Sequence, residues 1–380
     1  MTVRVLRAAL TAVFLGAASA AVLVPAVPAL AQATVSAHVG TLLQEAQALA
    51  KAGNWKGAAA KVNEAEGQAN KTAADTQVIN QMKNFIAVSS GDTSTPAGAK
   101  AKFANDYNAG RYKDVIADAD ILKKMNALDA QSALIVGQAY YKGNDFAGCV
   151  RYSKTIGGSD TALELQARCA YEINDEATQR QALEQLVARG GKPEHWKLLL
   201  KLGERARGLS DHNSLDINRL RMLTGSMSGK DDYIALAQFA LQFKCAAEAQ
   251  SVMEKGVAAK VLTDDRSLRL LGVIKAQAAT NLANEAKVLA AANAAPQGDG
   301  GTGLVDIGEN MIGEGKAKDA IGVIQNGMKK PLKDANNAQI RLGQAYLAAG
   351  QKADAKAAFA KVKAPEKDVM IAHLWSLATR

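Results

Sequence analysis

Cysteine is scarce, with only Cys149, Cys169 and Cys245 in 380 residues. So small and odd a set excludes a scaffold built on disulfides. Histidine is nearly as rare: His38, His195, His212 and His373 stand apart. They form no HExxH and no close His/Cys/Asp set, so no metal site is expected. Runs of β-branched residues are few and alanine is abundant, which favours helices over strands. After the first residues no apolar run is long enough to span a membrane. Basic blocks are missing as well. Lysines alternate with carboxylates, as in Lys352-Ala353-Asp354-Ala355-Lys356, so the positive excess reads as a solvated surface and no nucleic-acid partner is expected.

Catalytic motifs are equally thin. Ser210-Asp211-His212 has the letters of a hydrolase triad, but adjacent residues cannot form that geometry unaided, and a polar inter-helix turn is the better reading. Gly298-Asp299-Gly300-Gly301-Thr302-Gly303 spells GxGxxG. It follows a helical run rather than a strand, so it reads as a flexible loop entering the next hairpin. Pro193-Glu194-His195-Trp196 reads as a helix start, with the proline in the first turn and Trp196 packing inward. Isolated glutamates such as Glu309 have no partner in sequence that would mark a general acid. The chain is therefore expected to be no enzyme and to carry no cofactor, no metal and no catalytic residues.

What is present begins at the N-terminus. Arg4 and Arg7 precede an apolar run from Ala8 to Val24, then Pro25, Pro28 and Ala31-Gln32-Ala33. These are the parts of a secretory signal peptide over residues 1–33. Cleavage after Ala33 would leave 347 residues with a formal charge of +7, exported to the periplasm or secreted. A bridge between Cys149 and Cys169, 20 residues apart, is a candidate disulfide, with two buried thiols as the alternative. Cys245 has no obvious mate.

A repeat runs through the rest. In the C-terminal segment Gly343, Tyr346, Gly350, Ala355 and Phe359 keep a fixed spacing. Gly308, Met311, Gly315, Ala320 and Ile324 repeat it, as do Gly137, Tyr140, Asn144, Cys149 and Ser153. The spacing has a steric meaning. A small residue lets a second helix approach, and Gly or Asn seven places on ends the first helix in the left-handed conformation. The small residue 12 places on faces it, and the large one at 16 closes the core. This marker recurs at Phe103, Gly137, Ala170, Gly203, Ala237, Gly272, Gly308 and Gly343, at intervals of 34, 33, 33, 34, 35, 36 and 35 residues. An earlier hairpin is marked by Ala46, Gly53, Ala58 and Val62, followed by an extra helix near Ala73–Val88.

On these residues the chain resembles the tetratricopeptide repeat family. Gly343, Tyr346, Gly350, Ala355 and Phe359 carry the clearest likeness. Gly137-Gln138-Ala139-Tyr140-Tyr141-Lys142 with Asp145-Phe146 carries the next. The stretch Asp231–Gln238 with Ala247-Glu248-Ala249 also looks like exported bacterial proteins of this type. The resemblance implies an all-α, right-handed α-solenoid of antiparallel helical hairpins, about 34 residues per repeat. Its domains would be an N-terminal hairpin plus extra helix over 34–92 and the repeat solenoid over 96–380.

Such a solenoid implies a concave groove holding a protein or peptide partner. The residue after each marker should line it, which selects Gln47, Gln138, Gln238 and Gln344, with Lys51, Tyr141, Lys142, Gln242 and Arg341 adding contacts. Some members grip a terminal carboxylate through lysines and asparagines. Here Lys51 and Lys142 match, but glutamine replaces the asparagine, and Leu43 and Leu134 stand where lysine is expected. The function expected is a non-catalytic exported scaffold. The alternatives are a peptidoglycan-cleaving envelope enzyme on a helical platform and a module binding an acidic polymer.

Overall fold

The computed structural model describes residues 35–294 and 300–380; the expected signal peptide and Gly298-Asp299 lie outside them. Nineteen α-helices and no strand occur among the described residues. They are α1 (Ala37–Lys51), α2 (Trp55–Glu66), α3 (Ala73–Ser90), α4 (Pro96–Asn108), α5 (Tyr112–Lys124), α6 (Ala130–Lys142) and α7 (Phe146–Ser153). Next are α8 (Asp160–Glu172), α9 (Glu176–Ala188), α10 (Pro193–Gly203), α11 (Asp211–Leu223), α12 (Lys230–Gln242) and α13 (Ala246–Ala258). The chain ends with α14 (Asp265–Ala294), α15 (Gly300–Gly313), α16 (Ala317–Gly327), α17 (Ala335–Ala348), α18 (Lys352–Phe359) and α19 (Glu366–Leu377).

Local chemistry sets the helix ends. Thr72 and Asp75 form a reciprocal capping box at the start of α3, satisfying two otherwise orphaned backbone N–H groups. Thr95, Asp129, Asp145, Ser159 and Asp334 accept from the third backbone N–H of their helices, each cap contributing about 1 kcal/mol. Ser210 caps α11 in the same way, so the Ser-Asp-His letters are a helix start. Pro193 and Trp196 also fall as expected, the first opening α10 and the second buried.

The hairpin turns use a left-handed residue where the spacing asks for one: Gly315 at φ 79° and Gly350 at φ 80°. Asn144 and Lys244 take the same conformation at φ 60° and 61°, and Lys244 shows that the position tolerates a side chain. Two phase assignments slip. The turn after α10 is at Gly208, φ 71°, five residues after Gly203 rather than seven. The turn after α8 is at Asn174, φ 56°, seven residues after Ala167 rather than after Ala170.

The small residues work as contact points. A Cβ on Gly343 would lie 2.3 Å from Phe359 Cε1, one on Gly308 2.4 Å from Ile324 Cγ1, and one on Gly137 2.6 Å from Leu165 Cδ2. Side chains there would force the helices apart. The all-α architecture of antiparallel hairpins is thus built from the glycine contacts upward.

The chain divides into two compact units, Met1–Gln179 and Arg180–Arg380. In unit 1 each helix packs on the next, and α3 packs on both α2 and α4, so the first hairpin and extra helix continue into the hairpins that follow. Cys149 of α7 is bonded to Cys169 of α8, with Cα atoms 6.0 Å apart. Both are fully buried.

Unit 2 breaks the repeat. The hairpin expected around Gly272 is absent, replaced by the single 30-residue helix α14. A Cβ on Gly272 would meet nothing within 4 Å. This glycine matched the spacing by accident, and nothing seven residues later (Ala279) turns the chain. This lone helix stands between hairpins, and α13, the second helix of its hairpin, packs both on it and, beyond it, on α15. At the end of the chain α19 returns to α11. Asn213 Nδ2 donates to Asp368 Oδ1 at 3.2 Å, and Lys367 Nζ to the Gly208 carbonyl at 2.8 Å. Leu374 Cδ1 lies 3.4 Å from where a Gly203 Cβ would sit. Unit 2 thereby closes on itself. The described part of the GxGxxG run, Gly300-Gly301-Thr302-Gly303, is the first turn of α15 rather than a loop, and a Cβ on Gly301 would lie 2.4 Å from the Pro331 carbonyl oxygen, so it serves packing.

Candidate functional site

Two faces gather polar side chains, one in each unit. In unit 1 the first helices α4, α6 and α8 carry a ladder. Tyr107 Oη donates to Gln138 Oε1 at 2.8 Å, and one hairpin later Tyr141 Oη donates to Glu172 Oε1 at 3.1 Å. Both rungs span 31 residues, so the hairpin period itself sets them. Cations cover the rings. Lys142 Nζ sits 4.6 Å from the Tyr107 ring centre and 5.9 Å from that of Tyr112; the Arg168 guanidinium sits 4.0 Å from Tyr141. Each such contact contributes about 0.5–1 kcal/mol where water is near. Lys142 is exposed, and Gln138 and Tyr141 are half-buried. Behind the ladder, Cys149 Sγ lies 3.6 Å from the Gly137 carbonyl oxygen, so the Cys149–Cys169 bond ties α7 and α8 directly beneath it.

The other expected groove residues are dispersed. Gln47 and Lys51 lie on α1, apart from the ladder, because α3 is inserted between α2 and α4. In unit 2 Gln238 is exposed, and Gln242 Nε2 donates to Asp211 Oδ2 at 2.6 Å. Arg341 and Gln344 come together, but inside the unit: Arg341 is 0% exposed and Gln344 5%. As placed, Arg341 is fully enclosed and Gln344 lines a cleft within unit 2.

That interior face is an ionic network across α11, α13, α15 and α17. Arg341 donates twice to Asp216, each bond 2.7 Å, and lies 3.2 Å from Glu309. Gln344 Nε2 donates to Asp216 at 2.6 Å and its Oε1 accepts from Arg341 at 2.7 Å. Arg219 donates to Glu309 at 2.6 Å and to both oxygens of Glu248 at 2.8 and 2.6 Å. His212 stacks on Phe243 with ring centres 3.6 Å apart, its Nε2 3.9 Å from Glu309. Three carboxylates thus face two guanidiniums with an imidazole beside them.

The electrostatics follow from burial and pairing. Burial pushes the Glu309 carboxyl up, but the Arg341 and Arg219 guanidiniums outweigh it and hold the group below its ordinary value. His212 is held down, chiefly by burial and then by Arg341. Burial also raises the Cys245 thiol far above its usual range, which keeps it protonated. Asp216, Arg219, Glu248 and His212 were missed in the sequence because nothing in their spacing links them. Glu309 had a partial signal: it follows the marker Gly308 as Gln344 follows Gly343. Among the described residues no group of three or more His, Cys, Asp or Glu is placed to hold a metal ion, and no helix is long and apolar enough to cross a membrane.

No protein-family model matches the chain, and no curated protein does. Solved structures do. It is similar to a tetratricopeptide repeat protein from Parabacteroides merdae, at 14% identity and TM-score 0.24, over 75% of this chain and 99% of that one. It is similar to the P58(IPK) TPR domain at 13% identity and TM-score 0.23, over 90% of this chain and 78% of that one. A third likeness is to Naa15/Naa10 bound to HypK-THB, at 13% identity and TM-score 0.35, over 86% of this chain and 58% of that one.

Proposed function

We propose that this tetratricopeptide-like chain is an exported, non-catalytic scaffold that holds an extended segment of a protein partner along the first-helix face of unit 1. The observation that carries this reading is the ladder of Tyr107, Gln138, Tyr141, Lys142, Arg168 and Glu172, repeated in step with the hairpins. Tyrosine rings offer apolar area at low entropic cost, and amides and charges alongside them supply directional bonds to a peptide. The lone helix and closed interior of unit 2 provide no comparable open row.

Export rests on the Arg4–Ala33 segment and agrees with the Cys149–Cys169 bond, a chemistry that persists in oxidising compartments. Mature protein isolated from the periplasm should begin at Thr34; a retained N-terminus there removes the cleavage reading. Binding is tested by a photo-crosslinking residue at position 142 in intact cells. One recurrent protein adduct is expected, lost when the ladder is cut by Gln138→Ala together with Tyr141→Ala. No recurrent adduct in repeated trials overturns the proposal.

The enzyme reading needs a carboxylic acid protonated near neutral pH. Glu309 lines a cavity but is held ionised by two guanidiniums, which disfavours it. Binding of an acidic polymer needs free, clustered cations. Lys61, Lys83, Lys100, Lys102, Lys230, Lys275 and Lys316 are instead paired with carboxylates, and binding that survives high salt would remove this reading altogether.

A further inference from the structure

Beside the ionic network, unit 2 carries an open cleft of about 680 Å³ lined from α11, α12, α13, α15, α17, α18 and α19. Its lining falls into three groups. Glu309 and Gln344, both nine-tenths or more buried, form an ionic group with Arg219. Met222, Val252, Ile312, Leu347 and Trp375 form apolar walls. The exposed Lys255, Lys352 and Arg380 stand at the mouth.

The charges are not balanced across these groups. The two carboxylates that line the cleft, Glu309 and Glu248, are both taken up by Arg219. At the mouth, Lys352 Nζ donates to a terminal carboxylate oxygen of Arg380 at 2.8 Å and the Arg380 guanidinium to the Ala188 carbonyl, so three cations stand there against one anion. None of the three mouth cations has a side-chain carboxylate partner among the described residues. The volume lies within the range of small-molecule sites, which combine apolar walls with a few placed polar groups.

We propose that this cleft binds a small amphiphilic anion, its apolar body against Met222, Ile312, Leu347 and Trp375 and its anionic head held by Lys255 and Lys352. The site is independent of the unit 1 ladder. An acyl-chain carboxylate has the required chemistry. Its chain replaces water along the walls, and its carboxylate supplies a counter-charge to the mouth. A longer-chain lipid and a free carboxylic acid share this chemistry, and chain length distinguishes them.

The test is isothermal titration of the full mature chain with decanoate, decanol and decyltrimethylammonium, and with hexadecanoate for length. Saturable decanoate binding at one site per chain is expected, with decyltrimethylammonium at least tenfold weaker. The double variant Lys255→Glu, Lys352→Glu should weaken decanoate at least tenfold and leave decanol unchanged. Ala348→Trp, an exposed change at the mouth, should remove both, with the melting curve showing the variants folded. No saturable decanoate binding, equal affinity for the cationic amphiphile, or affinity indifferent to these substitutions overturns the proposal.

Discussion

The two units use the same hairpin differently. In unit 1 the hairpins that follow α3 run in regular alternation, so tyrosines and amides of successive first helices meet as an open ladder. In unit 2 the single helix α14 follows the α12–α13 hairpin, α13 packs on α15 beyond it, and Arg341 and Gln344 lie in a buried ionic network. The same kind of hairpin thus carries an open polar ladder in one unit and a buried ionic network in the other. Repeat proteins sum nearest-neighbour interfaces, but the return of α19 to α11 adds a long-range term to unit 2 alone.

The comparison breaks most forcefully at Arg341. Arg341→Met leaves Asp216 and Glu309 buried without their main counter-charge and should destabilise unit 2 by about 3–5 kcal/mol. Urea unfolding followed by a probe in each unit should show no change in unit 1. The converse is the disulfide. Cys149→Ala with Cys169→Ala should cost unit 1 about 3 kcal/mol by the chain-entropy estimate and leave unit 2 unaffected in the same assay.

Glycines sharpen the contrast within unit 2. Gly343→Leu should cost about 1–3 kcal/mol by overpacking against Phe359. Gly272→Ala, in open space on α14, should be neutral or stabilising by up to about 1 kcal/mol; thermal melts of the two variants should move in opposite directions.

The smallest effect is with pH. His212 and Glu309 both have folded values depressed below their ordinary ones, so the folded state binds fewer protons than the unfolded chain and stability falls on acidification. Loss of unit 2 stability should begin below pH about 6.5 with His212 and continue below pH about 4.5 with Glu309. His373 has the opposite sign: its contact with Glu184 raises it, a contribution present at low pH and lost as pH rises through the folded value. Stability measured from pH 8 to 4 should fall less in His212→Gln than in the parent chain.

Most of the fold was legible because its central device is local. Gly137, Gly308 and Gly343 sit where a Cβ cannot, and their turn and closing residues follow at fixed distances along the same chain. Gly272 failed because an Ala- and Gly-rich sequence supplies small residues by chance; the missing turn residue at position 279 was the discriminating sign. The ladder was half legible: Gln138, Tyr141 and Lys142 follow from the marker rule, while Tyr107, Arg168 and Glu172 are selected only by contact across hairpins. The network was nearly invisible. Asp216 and Arg341 are 125 residues apart, and their meeting depends on long-range packing that no short motif encodes.

Hydrogen exchange resolved by helix, in the parent chain and in Arg341→Met, tests the closure of unit 2 most directly. The account predicts that α11, α15 and α17 lose protection together in the variant while α4, α6 and α8 keep theirs. Loss confined to α17, or protection unchanged throughout, would contradict it.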